Sequence, residues 1–460
     1  MPEKKNSRSA DEALSFLAKT NVERPMHYSK TGNITPDTVS SREDHYQDYD
    51  DSQDDIINNK LLQRRQGGPH NKIEKQRRFA LLRSSLNRRL ETLVILWHTI
   101  TIPFLASLFF VLCTIPMLWP LIIVYLVYFY IDANTPSNGK SADRRVEWFR
   151  SLHIWKHFVN YYPISVYKTV DLEPTFKTKK IEIILPKYHQ VTTYLPSSVR
   201  KYIPTHRVLI EKEIKTGPRY IFGYHPHGVV SLGITGAFGT NGCNIGELLP
   251  GIRIYLLTLI TQFKLPLLRD YLMALGISSV SKRNVTALIK RNQSVCIVIG
   301  GASESLLSKP HTIDIVLKKR KGFVKVALEL GDTELVPVFG FGENTAYNVF
   351  DPSVSGKSCS VLNYVRKQMC GFQLWLKQHF GFTFPFFHAR GVFNHDFGLL
   401  PYRKPINLVI GRPIPVPYIH SPTQEQIDHY HSLYVEELKR VFEQNKERFN
   451  AGSLELRIVE

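Results

Sequence analysis

The 460-residue sequence is poor in cysteine: it has five, Cys113, Cys243, Cys296, Cys359 and Cys370, and no Cys-x-x-Cys spacing. An odd, scattered set of this kind argues against a disulfide framework and a zinc ribbon, and it suits a reducing compartment. The N-terminal stretch MPEKKNSRSADEALSFLAK lacks a long apolar core, so no cleavable secretory signal is expected. A Gly-x-Ser-x-Gly elbow is also missing. The nearest approach, GASES from Gly301, fails at its last position, which argues against a serine esterase. Acidic residues are in deficit, 40 Asp+Glu against 59 Lys+Arg, for a formal net charge of +19. Such an imbalance points to an anionic partner: nucleic acid, a membrane surface or a phosphorylated substrate. The basic clusters flank an apolar segment and no nucleic-acid recognition motif accompanies them, so nucleic acid is set aside.

What is present comes in blocks. Residues 1–75 are polar, with an acidic run from Glu43 to Asp55. Too few apolar side chains are available there to offset the entropy of ordering, and a disordered tail is expected. Residues 76–92 form a basic segment with Arg77, Arg78, Arg83, Arg88 and Arg89. Then Leu93 to Ile131 runs without Asp, Glu, Lys or Arg and with a single histidine, His98. As one straight helix this segment would be roughly 58 Å long, about twice a bilayer core of about 30 Å. It must therefore fold back, and Pro116 and Pro120 supply the break. Lys140, Arg144, Arg145, Arg150 and Lys156 lie on the far side. Basic flanks on both sides place both in the cytosol. The expectation for 93–131 is a membrane hairpin, either two short spanning helices or a re-entrant wedge, and a wedge also suits a lipid monolayer. Residues 140–180 are expected to hold an amphipathic helix and a connector. Trp148, Leu152, Trp155 and Val159 recur at helical spacing, as on an interfacial helix or a core-facing one.

Residues 181–460 read as a globular α/β domain. Short, continuously apolar runs suit strands covered on both faces: Arg219–Tyr224, Ser294–Gly300, Glu334–Phe341 and Ile406–Gly411. Thr423 with Gln426 signals a capping box, and an apolar stripe of Ile427, Tyr430, Tyr434, Leu438 and Val441 comes after it. Ile254 to Gly276 reads as helices that lean on the bilayer, line an apolar tunnel or are simply buried.

The segment IFGYHPHGVVSLG, Ile221 to Gly233, ends a strand with His225 and His227 around Pro226. Imidazoles there are metal ligands, packing residues or acid–base groups. Zinc needs three or four protein ligands, and no cluster is near in sequence; His311, His388 and His395 are distant. Flanking proline and glycine disfavour a packed interior. The acid–base reading is favoured by downstream residues: Lys282 and Arg283, then Glu304 in the turn GGASES, then Lys318, Lys319, Arg320, Lys321 and Lys325. A run of cations also reads as a solvated or lipid-facing surface.

Together YHPHG, GGASES, RKGFVKVALELGDTELVPVFGFGEN and INLVIGRPIPVP resemble the signature blocks of type-2 diacylglycerol acyltransferases, a family that includes monoacylglycerol acyltransferases and wax-ester synthases. The resemblance runs from about Arg89 to about Phe449, takes in YYP (Tyr161 to Pro163), and is closest in layout to fungal members. It implies an α/β fold with a glycerolipid-acyltransferase-like central sheet flanked by helices, preceded by the membrane hairpin. It implies transfer of an acyl group from acyl-CoA to diacylglycerol, giving triacylglycerol, with monoacylglycerol or a long-chain alcohol as alternative acceptors. Acyl-CoA is a co-substrate, and no cofactor or metal is implied. The expected setting is the endoplasmic reticulum membrane and lipid droplet surface, with both termini cytosolic and self-association left open. None of the sequons at Asn33, Asn284 and Asn292 should then be glycosylated.

In wider relatives a His-x4-Asp motif supplies a general base and the residue that orients it. Here Val230 and Leu232 stand where that Asp would, and Glu304 is the candidate in its place. A thioester is already activated, so the need is a base for the acceptor hydroxyl, a role suited to a neutral imidazole. His227 is assigned as base, and His225 shapes the turn or holds the alcohol. Pro226 stiffens the pair and Gly228 admits substrate close to the backbone. Amides near Gly228 or in Gly300–Gly301 would stabilise the oxyanion. Lys282, Arg283, Arg320, Lys321 and Lys325 are the candidates for the phosphates of coenzyme A. A non-catalytic protein that anchors on lipid droplets is the remaining alternative, opposed by the intact histidine block.

Overall fold

A computed structural model describes residues 86–186, 205–310, 312–349, 386–392 and 397–459, with a few positions between 364 and 375. The expected tail 1–75, Asn33, His311 and His395 lie outside the described residues. The chain divides into two units. One comprises Met1–Ile73 with Lys179–Lys212, and its described part belongs to a two-stranded ribbon of β2 (Phe176–Pro186) and β3 (Thr205–Lys215). The other, Glu74–Thr178 with Glu213–Glu460, contains the rest.

The larger unit is built on a mixed eight-stranded sheet. Its strands are β1 (Ile164–Lys168), β4 (Arg219–His225), β5 (Ile254–Thr258), β6 (Ile277–Ser279), β7 (Ser294–Val298), β9 (Thr333–Phe341), β12 (Ile406–Ile410) and β13 (Ile414–Val416). Outside it are β8 (Ile313–Val316), which pairs with β14 (Leu456–Val459), and the short pair β10 (Asn348–Val349) and β11 (Phe387–His388). The order is β1-β12-β9-β4-β7-β5-β6, with β13 also on β9. β4 lies between β7 and β9 and is parallel to both, whereas β12 runs antiparallel to β9. The four apolar runs that read as strands all lie in this sheet. Alternation along β4 sends Tyr220, Phe222 and Tyr224 into one buried core and Ile221 into the other.

The helices that matter here are α1 (Leu86–Cys113), α2 (Trp119–Ile131), α3 (Ile154–Tyr161), α4 (Leu232–Ala237), α5 (Leu268–Ala274), α6 (Lys282–Lys290), α7 (Gly301–Ser305), α8 (Gly322–Leu330) and α9 (Gln424–Asn445). Phe158 and Ile234, from α3 and α4, fill the first core; Leu288, Val324 and Leu438, from α6, α8 and α9, fill the second. The capping box at Thr423 is formed, with both reciprocal hydrogen bonds.

Two expected features take a different form. Ile254–Thr258 is a strand, not part of a helix: it lies between β7 and β6, and its first four residues are buried. Continuous burial on both faces explains why its apolar run shows no helical period. Within the rest of the run to Gly276, the helical parts are a 3-10 turn (Ile260–Lys264) and α5. The stripe Trp148, Leu152, Trp155 and Val159 does not share one helical face either. A four-residue helix, Glu147–Arg150, is separated from α3, leaving Trp148 70% exposed and Trp155 4% exposed.

Two helical segments, Leu86–Cys113 and Pro116–Ser137, are long and apolar enough to cross a membrane. α1 starts earlier than Leu93 and includes Arg88, Arg89 and Glu91. Its first half rests on the α/β unit, where Val94 and Ile95 are buried and Glu91 pairs with Arg403. Thr114 and Ile115 interrupt the helix, Pro116–Leu118 forms a 3-10 turn, and Pro120 sits in the first turn of α2. Leu121, Val124 and Ile131 of α2 are exposed. Its far end is fastened to α5: Tyr125 donates to Asp270 at 2.8 Å, and Arg269 donates to the Phe129 carbonyl at 2.7 Å.

Candidate active site

The parallel strands β4, β7 and β9 deliver their C-terminal ends to one edge of the sheet, the edge at which open α/β sheets bind ligands. β4 ends at His225, β7 leads into Gly300 and Gly301, and β9 leads into Glu343. Residues from all three strand ends meet there.

His225 is fully buried. The Tyr434 hydroxyl donates to the Gly223 carbonyl at 3.1 Å and lies 3.1 Å from Nε2 of His225. With its own proton on Gly223, the hydroxyl accepts from Nε2–H, which assigns the tautomer. Nδ1 of His225 is then a buried acceptor with no hydrogen-bond partner. Burial, and secondarily nearby His431, push the His225 pKa down to about 3, so the ring is neutral. Gly223 admits this contact: a Cβ there would collide with the Tyr434 hydroxyl. The His225–Pro226 bond is cis and Pro226 is buried.

His227 is half-buried. Its Nδ1–H donates to the Gly228 carbonyl at 3.0 Å, which leaves the Nε2 lone pair for another group. Burial holds its pKa below the usual histidine value, with the Gly228 bond acting weakly the other way. The imidazole is therefore neutral at neutral pH, with the basic nitrogen defined.

Two buried carboxylates hold the turn that carries this ring. Glu304, in α7, accepts from the His227 backbone N–H with Oε1 and from the Val316 N–H with Oε2 at 2.8 Å. It thus meets the backbone of His227, while the imidazole is oriented by the Gly228 carbonyl. Glu343 accepts from the backbone N–H of Leu232 at 2.7 Å with Oε1. Its Oε2 accepts from Gly233 N–H at 2.9 Å and from the Tyr224 hydroxyl at 2.6 Å. Burial raises both carboxyls to about 7 against the pull of these donors. Ser231 completes the turn by donating to the His227 carbonyl at 2.9 Å.

Gly228 has φ +62°, and a Cβ on it would lie 2.6 Å from Cγ of Glu343. His225, Pro226, His227, Gly228, Gly300, Gly301 and Glu304 are therefore gathered at one strand edge. The cations are more dispersed. Arg320 is exposed, yet its charge acts on the Glu304 carboxyl. Lys321 pairs with Asp428 of α9 at 2.6 Å. Lys282, on α6, pairs with Glu329 of α8 at 2.8 Å; Arg283 and Lys325 are exposed on the same two helices. Among the described residues no group of three or more His, Cys, Asp or Glu is placed to hold a metal ion.

Sequence reasoning passed over Glu343, Tyr224 and Tyr434. The signal for Glu343 was a lone carboxylate in GFGEN, directly after an apolar strand. Tyr434 was counted only for its apolar ring.

A family model described as diacylglycerol acyltransferase matches residues 109–181 and 185–458. A relative from Saccharomyces cerevisiae named diacylglycerol O-acyltransferase 1 is 46% identical over 82% of this chain and 88% of its own length. Diacylglycerol O-acyltransferase 2 of Dictyostelium discoideum is 39% identical over 80% of the chain and 95% of its own length. 2-Acylglycerol O-acyltransferase 1 of Bos taurus is 38% identical over 81% and 96%. No solved structure matches.

Proposed function

From the premise that the chain belongs to the diacylglycerol acyltransferase family, and is an acyltransferase, we propose that it moves an acyl group from acyl-CoA to the free hydroxyl of diacylglycerol, forming triacylglycerol. The observation that carries the mechanism is the His227 ring, whose Nδ1–H is committed to Gly228 while its Nε2 is left as the base. The acceptor hydroxyl donates to Nε2. As its oxygen attacks the thioester carbonyl, the proton passes to Nε2 and a tetrahedral oxyanion forms. Amides near Gly228 or in Gly300–Gly301 stabilise that charge. Collapse breaks the carbon–sulfur bond, and the imidazolium returns its proton to the departing thiolate. General-base assistance of this kind contributes roughly 10²–10⁴-fold.

In this reading Glu304 and Glu343 hold the turn, and His225 shapes it. Arg320 and Lys321 are the first candidates for the phosphates of coenzyme A, with Lys282, Arg283 and Lys325 next. Diacylglycerol is preferred as acceptor because relatives at 46% identity carry that name; monoacylglycerol is the alternative, from the relatives named for 2-acylglycerol. The two apolar helices favour a setting at the cytosolic face of the endoplasmic reticulum or a lipid droplet, in contact with membrane lipid.

The test is transfer from labelled oleoyl-CoA to diacylglycerol in membranes carrying the protein or its His227→Ala variant at equal level. Labelled triacylglycerol from the first, and at least a hundredfold less from the second, is expected. Equal product from both would remove His227 from the chemistry.

A further inference from the structure

A basic pocket lies between α9, β14 and the loop after β8; of its lining, the proposed mechanism names only Lys321. Its volume of about 470 Å³ lies inside the roughly 300–1,000 Å³ range of ligand sites. Lys318 and Lys321, from the loop after β8, and Lys439 of α9 supply its charge; Val435, Leu456 and Ile458 supply an apolar wall. Lys321 is neutralised by Asp428. Lys318 and Lys439 are exposed and, among the described residues, have no carboxylate partner. The pocket therefore offers two uncompensated ammonium groups beside a hydrocarbon surface.

The pocket and the turn share a wall. Val316 donates to Glu304, whose other oxygen holds the His227 N–H. The next residue, Leu317, accepts from Nε2–H of His431 at 3.1 Å, and His431 lines the pocket. Residues 316–317 thus connect the two by hydrogen bonds, through Glu304 to the His227 backbone and through Leu317 to His431. The charge of Arg320, in the same loop, reaches Glu304.

We infer that this pocket seats the phosphate-bearing adenosine end of the acyl-CoA donor. Lys318 and Lys439 bind its phosphates by charge-assisted hydrogen bonds, and Val435, Leu456 and Ile458 take the adenine ring. The pantetheine arm then carries the thioester toward His227. A phosphate alone would use the lysines and leave the apolar wall idle, whereas a nucleotide uses both. The inference rests on the acyl-transfer reading and adds the place where the donor is held.

The test uses the full chain with adenosine 3′,5′-bisphosphate as probe, and oleoyl-CoA or oleoyl-pantetheine as donor. The bisphosphate is expected to compete with oleoyl-CoA and to leave transfer from oleoyl-pantetheine untouched. In Lys318→Gln/Lys439→Gln, KM for oleoyl-CoA should rise about tenfold, the loss expected from about 1.4 kcal/mol of binding. The charge-preserving Lys318→Arg/Lys439→Arg should restore it. An unchanged KM in the glutamine variant overturns the inference. So does an equal loss on both donors that arginine fails to rescue, since the lysines would then be structural. Calorimetry with the bisphosphate separates this claim from the activity. Binding that the glutamine variant loses, in a protein that transfers from neither donor, would keep the nucleotide pocket and remove the acyl-transfer reading. Binding through these lysines to vesicles containing phosphatidic acid, with none to the bisphosphate, would overturn the nucleotide assignment.

Discussion

A methyl group at position 228 would face two obstacles at once, the Glu343 side chain at 2.6 Å and a backbone φ of +62°. Left-handed strain in a non-glycine residue costs on the order of 1–3 kcal/mol, and Glu343 cannot retreat without releasing Leu232, Gly233 or Tyr224. Gly228→Ala is therefore expected to lower thermal stability and to remove most transfer activity, measured by melting and by the oleoyl-CoA assay. With His227 as the proposed base, the working form is the neutral ring, and burial lowers its pKa from 6.5, so the His227 limb of the kcat profile should lie below 6.5. Burial raises Glu304 and Glu343 to about 7, so a limb near 7 would report the turn they hold and not the base. A profile with no decline below 6.5 would remove His227 from the role. The histidine pair was legible in the sequence because its chemistry is local: two imidazoles, a proline and a glycine in four residues. Glu343 and Tyr434 were not, because they act on backbone and side-chain atoms more than a hundred residues away.

At the scale of elements, α9 is capped at its start by two side chains. Thr423 accepts from the Gln426 N–H, and Gln426 reaches back to the Thr423 N–H. Thr423→Ala should cost about 1 kcal/mol, in the usual range for a lost cap, and would be read as a lower denaturation midpoint. The effect on transfer should be larger than a remote helix would give, because Tyr434 on α9 is the partner of His225. The cap, the helix and four central strands could be read from spacing and composition. Ile254–Thr258 could not. A strand buried on both faces and a buried helix are both simply apolar over so short a run. The break between Glu147–Arg150 and α3 was hidden for a related reason: Trp148 and Trp155 keep helical spacing but face different surroundings.

For the whole molecule the question is how the apolar helices meet lipid. α2 alone has 13 residues, about 20 Å by helical rise, and matches a bilayer core of about 30 Å only together with the turns that flank it in Pro116–Ser137. Val124 is 67% exposed. Val124→Arg should therefore leave the α/β unit folded while opposing insertion by about 2.5 kcal/mol, if the position lies deep in hydrocarbon. Flotation with vesicles would show less bound protein, and unchanged flotation would place α2 outside the hydrocarbon. Glycan mapping of the orientation must rest on Asn33 and Asn292. Asn284 is fully buried, accepts from the Gly139 N–H and donates to Ser278 and Ser279, so its silence carries no topological message.

The sheet also has a consequence for the order of synthesis. β1 pairs with β12, so Ile164 waits for Ile406, and His225 waits for Tyr434. A ribosome translating this message has exported α1 and α2 long before either pairing exists, since domains assemble as their parts emerge. If α1 and α2 insert in a membrane as they emerge, the nascent chain is tethered while its histidine turn still lacks α9. Competence for chemistry would then come only in the last stage of translation, after the molecule has reached its address.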